Sequence, residues 1–232
     1  MNLGSFLSNE SRFGRAMTKC GTIIAINLLF VLTCIPFVTA GAAFAAMYHA
    51  MFEVIRADES RAILPPANPF KAYWEGLKRN FLRATLSWLA FAAVMAAGYM
   101  DILICRQAGG VIRFMSAGVM AVMIAAVIII MYLLPIMTQM SGKMTELVKL
   151  SIFTAMSRPL TMVLVLVLNC ALPLLLYLDE VNKPTYAFAG TFFAFGLGAW
   201  IIAKMLHPQI KHLQDNFDTE KSHSFVQRCG ND

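Results

Sequence analysis

The stretch that decides the fold is residues 21–55, GTIIAINLLFVLTCIPFVTAGAAFAAMYHAMFEVI. It is almost wholly apolar and too long for one crossing of the hydrocarbon layer, which needs about 20 helical residues. Pro36 falls in its middle, followed by Thr39 and Gly41. Proline lacks the backbone donor that a helix requires and disfavours helix at the residue before it. The reading is therefore two short spans, 21–35 and 38–55, joined by a tight proline-containing turn; one kinked helix, and five spans in all, is the alternative. Arg12, Arg15 and Lys19 precede the run and Ala40-Gly41-Ala42 lies within it. That gives it the look of a secretory signal, but it is expected to stay as an anchor.

Four more runs follow at 84–105, 114–135, 160–178 and 185–206, each long enough to span. Composition agrees: 59% of the 232 residues are hydrophobic and only 14% charged, and mean hydropathy is +0.65. A soluble domain is about half apolar and a quarter charged, so this much apolar surface requires lipid. The expected fold is an all-α membrane bundle of six spans, one domain over 1–212 with a polar tail over 213–232.

The net charge of +6 does not indicate nucleic acid, because the basic residues fall in short clusters between apolar runs. That is how membrane topology is written. With six spans and the N-terminus inside, only Arg106, Arg113 and Lys183 of the 19 Lys and Arg lie outside. Five spans would move Arg12, Arg15 and Lys19 out and spoil the asymmetry. Both termini are thus expected in the cytoplasm.

Between the second and third spans, Asn68-Pro69 suits the start of a helix. Phe70, Tyr73, Trp74, Leu77 and Phe81 then recur at helical spacing, with Lys71, Glu75, Lys78 and Arg79 on other faces. The pattern predicts an amphipathic helix in the membrane interface or docked on a partner. A weaker version spans 144–157. The two regions match at a shift of 78: Tyr99-x-Asp101 meets Tyr177-x-Asp179, and Leu82 and Leu86 meet Leu160 and Leu164. Leu134-Pro135 and His207-Pro208 close the fourth and sixth spans. An internal repeat of helix plus two-span hairpin is expected.

No nucleotide loop, nucleophile elbow or zinc-binding helix motif is present. His207 and His212 are five apart and do not share a helix face. Cys20, Cys34, Cys105, Cys170 and Cys229 form no CxxC and are taken as packing residues. No catalytic residue, cofactor or metal is expected. The polar residues inside spans, Asn27, His49 and Asn169, with Asp101 near the outer end of span three, are the candidates for an intramembrane path. The alternative is interhelical hydrogen bonding.

Asn27-Leu28-Leu29, Pro36-x-x-Thr39-x-Gly41-Ala42 and Ala46-Met47-Tyr48 together resemble a signature of the bacterial YesL family. Phe70-x-x-Tyr73-Trp74-x-x-Leu77-Lys78-x-Asn80-Phe81-x-x-Ala84, with Trp88, resembles its second. The family commonly has Phe where Tyr73 stands and larger aliphatics where Ala40 stands. The resemblance implies a multi-pass protein of the bacterial cytoplasmic membrane with no catalytic residues to carry over. It also implies a setting of carbohydrate uptake, with the subunits of binding-protein-dependent (ABC) sugar permeases as partners besides the lipid bilayer. An independent transporter or channel for a small solute is the rival expectation.

Overall fold

The computed structural model describes residues 12–59, 68–108, 112–179 and 182–229, and its described residues are helical throughout, without a strand. Helix α1, Arg12–Cys34, runs to the doublet Ile35-Pro36 and stops. Pro36 is extended, with φ −74° and ψ 115°, and the 3₁₀ turn Phe37–Thr39 follows. The Thr39 hydroxyl lies 2.9 Å from both the Thr33 and Pro36 carbonyls, capping the end of α1. Helix α2, Ala40–Glu59, then returns alongside α1, and Lys19 pairs with Asp58 at 2.5 Å where the hairpin opens. The expected reversal is present, and its helices reach further than 21–35 and 38–55.

α2 is the central element. Its face of Ala42, Ala43, Ala45, Ala46 and Ala50 is fully buried, because small side chains let helix backbones approach closely where lipid supplies no hydrophobic drive. Gly41 marks the closest approach. A Cβ there would lie 2.4 Å from the Cβ of Trp88 and 2.6 Å from the Ala84 carbonyl oxygen.

The segment that the sequence sets apart as an interfacial helix, 70–81, is not separate. It forms the first third of α3, Pro69–Ala108, a single helix of 40 residues. At 1.5 Å per residue such a helix is about 60 Å long, roughly twice the hydrocarbon thickness. Asn68 caps it, accepting the Phe70 N–H at 3.2 Å. Nothing between Phe81 and Ala84 interrupts it, since Leu82 and Arg83 are good helix formers. α3 packs antiparallel on α2 through its first half. Its second half packs on α4, Ile112–Gln139, where Gly98 meets Met123.

The second half of the chain departs from this pattern at one residue. Helix α5, Met144–Ser157, and helix α6, Pro159–Leu178, are bent 106° apart. At the shift of 78, Pro159 stands where the first half has Phe81. Proline pushes the residue before it out of helix, and Arg158 has φ −141° and ψ 84°. One proline thus makes an elbow of what is a straight rod in the first half.

Helix α7, Lys183–Ala189, continues through the π turn Gly190–Ala194 into α8, Phe195–Cys229. The last helix therefore runs on into the polar tail from 213 as far as Cys229. Among the described residues, five helices are long and apolar enough to cross a membrane, and six if the elbow pair is one span. The protein is an all-α bundle of membrane type.

Candidate functional site

Asn27 is fully buried in the middle of α1 and its side chain is spent on the backbone of the π turn. Its Nδ2 donates to the carbonyls of Gly190 (3.1 Å) and Thr191 (2.6 Å). Its Oδ1 accepts the Gly196 N–H at 2.6 Å. A π turn widens the helix and leaves backbone groups off the regular ladder; in an apolar interior each must find a partner. Gly196 permits this, since a Cβ there would fall 2.8 Å from the Asn27 Cβ.

Asn169 lies across the bundle on α6. Its Nδ2 donates to the Val165 carbonyl of its own helix at 2.8 Å, and its side chain lies beside Tyr48 of α2 on the same cavity walls. Phe44, Tyr48 and Asn169 separate two cavities: one of ≈ 360 Å³ extends towards Phe195 and Ile202 of α8, the other of ≈ 520 Å³ towards Trp88, Ile130 and Tyr177. Apart from the Tyr48–Asn169 pair, both are walled almost wholly by hydrocarbon and aromatic rings. α6 thus meets the bundle at a polar pair with space on either side. Leu160, Val163, Leu164, Val167 and Leu174 face outward from it.

His49, the next residue of α2, is buried against α3 and fits only because Gly76 faces it. A Cβ at Gly76 would come within 2.7 Å of the His49 Cβ. Its Nδ1 has no partner in the structure, and Glu53, Glu75, Arg56 and Arg79 are the charged groups around it. Asp101 is exposed near the far end of α3. The four candidate path residues do not come together in either chamber described above: Asn169 borders both, while Asn27, His49 and Asp101 border neither.

The aromatic stripe of α3 divides in two. Phe70, Trp74 and Phe81 face outward, with the Lys78 ammonium 5.8 Å from the Trp74 ring centre. Tyr73 is fully buried and Leu77 packs against the core. The Tyr73 hydroxyl reaches the Thr33 hydroxyl and lies 3.5 Å from the Ala43 carbonyl. The face turned inward is Tyr73, Gly76, Asn80 and Ala84, which is the small and polar face. Sequence reasoning took the aromatic side as one apolar surface and missed Tyr48, Gly76 and Gly196. Gly76 and Gly196, each inside a run of helix-forming residues, were the visible signal for two of them.

Polar contacts gather at the end of the bundle where α1 begins and α2 finishes. Arg56 pairs with Glu53 at 2.7 Å and also contacts Gln139 of α4. Gln214 of α8 donates to the Gln139 carbonyl at 2.9 Å, and His207 lies 3.2 Å from Glu59. These contacts join three helices, α2, α4 and α8, at one end.

A family model described as "Protein of unknown function, DUF624" matches residues 23–102, from within α1 to near the end of α3. No curated protein and no solved structure matches the chain.

Proposed function

We propose that this chain is a non-catalytic membrane component that assists carbohydrate import by binding the membrane subunits of a binding-protein-dependent sugar permease. The observation that carries the non-transporting part of this reading is the apolar lining of the two chambers at the centre of the bundle. Asn27 is committed to backbone groups, and the chambers beside Asn169 are lined by apolar side chains. A sugar stripped of water needs a hydrogen-bond partner for each hydroxyl, and an unpaired one costs about 1 to 3 kcal/mol. Such walls offer almost none. The link to carbohydrate comes from the YesL-like residues in 27–48 and 70–88, and the outward Phe70, Trp74 and Phe81 of α3 supply a face for contact between helices.

The test is co-purification in mild detergent with permease subunits of the same cell, using the chain and its Trp74→Asp variant. Specific recovery of permease subunits by the chain, weakened by the variant, is the expected result. Recovery of none of them overturns the reading. A single observation favours a second reading, transport of a small solute: the unpartnered Nδ1 of His49 among four charged residues. Solute uptake by proteoliposomes containing this chain alone, abolished by His49→Leu, would establish it in place of the first.

A further inference from the structure

The elbow between α5 and α6 faces α8 across a cavity of ≈ 240 Å³ that is more polar than the chambers beside Asn169. Gln209 of α8 contributes its whole amide to this wall. Both Nε2 and Oε1 are buried and neither has a partner. Arg158, at the elbow itself, and His212 also line the cavity. Arg158 is exposed and forms no ion pair with a described residue. The nearby hydroxyl protons are spent, since Ser157 donates to the Phe153 carbonyl and Thr154 to the Leu150 carbonyl, each at 2.7 Å. Phe153 on the cavity wall, and Met156 and Leu160 beside it, are 64%, 75% and 76% exposed.

We propose that this elbow is a binding site for the headgroup of an anionic, hydroxyl-bearing phospholipid of the phosphatidylglycerol type. Three requirements of the site agree on that class. An unpaired guanidinium and an amide N–H call for an acceptor with negative charge, which a phosphodiester supplies. The orphaned Gln209 Oε1 calls for a donor beside that phosphate, which a glycerol hydroxyl supplies and a choline headgroup does not. The exposed Phe153, Met156 and Leu160 lie where acyl chains would descend from such a headgroup. The site also sits at headgroup depth: Pro159 opens a long apolar helix there, and His207–Glu59 pairs close by at the polar end of the bundle. Basic pockets between helices near a membrane surface hold anionic headgroups by this combination.

The experiment measures thermal stabilisation of the full chain in detergent on titration with phosphatidylglycerol, phosphatidylcholine or inorganic phosphate, with retained lipid counted by native mass spectrometry. Phosphatidylglycerol is expected to stabilise and to be retained, and phosphatidylcholine and phosphate are not. Arg158→Gln should weaken the apparent affinity about fivefold, the factor for losing one cation at a membrane surface. Gln209→Leu should weaken it as well, and Arg158→Lys should keep most of it. Arg158 is exposed, so its variants fold whether or not the site is real. Equal binding of the two lipids shows that the elbow does not select the headgroup and overturns the proposal. Equal binding by Arg158→Gln overturns it too, and stabilisation by phosphate matching the lipid's overturns the lipid assignment.

Discussion

Replacing Asn27 with Leu keeps the side chain's branched four-atom skeleton and removes all three of its hydrogen bonds to the last helix. No hydrophobic gain offsets that loss, because the unfolded helix in lipid is already in an apolar solvent. The Gly196 N–H loses its acceptor, and the Gly190 and Thr191 carbonyls lose their donor beside a π turn that offers no regular replacement. At about 1 kcal/mol for each bond, within the range for hydrogen bonds between membrane helices, the cost is about 3 kcal/mol. For a chain of this size that corresponds to a fall in Tm of about 6 to 12 °C, read as thermal unfolding of the detergent-purified protein. Asn27→Asp should cost at least as much, since it sets a second oxygen against two carbonyls. A Tm for Asn27→Leu within about 2 °C of the parent would refute the view that this amide holds the π turn to α1.

Gly41→Leu should destabilise more than Asn27→Leu and lower the yield of folded protein, because even a Cβ meets the Trp88 Cβ and the Ala84 carbonyl below 3 Å; size-exclusion chromatography checks it. Tyr73→Phe should cost about 1 kcal/mol of stability through its hydroxyl contacts, whereas Trp74→Phe, on the outward face, should be within about 0.5 kcal/mol of the parent; equal effects would mean that the two faces of α3 are assigned wrongly. Reporter fusions after Asp58, Gly110, Gly142, Lys183 and the C-terminus should read in, out, in, out, in. An outward reading at both Asp58 and the C-terminus would reverse the orientation that Lys and Arg imply.

The class of this protein, the helical runs and the reversal at Pro36 were all legible in the amino-acid order. Those features depend on local chemistry: backbone groups in lipid must be satisfied within a helix, and proline cannot continue one. The spacing from Pro36 to Gly41 was legible for the same reason, as was the cap at Asn68-Pro69. What the tertiary structure alone decided is which face of each helix turns inward. In a soluble protein apolar residues mark the buried face, but in lipid both faces are apolar and the periodic signal no longer separates them. On α3 the buried stripe is Tyr73, Gly76, Asn80 and Ala84, while Phe70, Trp74 and Phe81 point out. The partner of Asn27 was equally hidden, since Gly196 lies 169 residues along the chain and nothing local in either segment names the other. The fate of the two amphipathic segments turned on Pro159, whose effect shows only when α5 and α6 are seen bent beside the straight α3. Packing between small and polar surfaces, close enough for backbone to meet side chain, settled what hydrophobicity left undetermined.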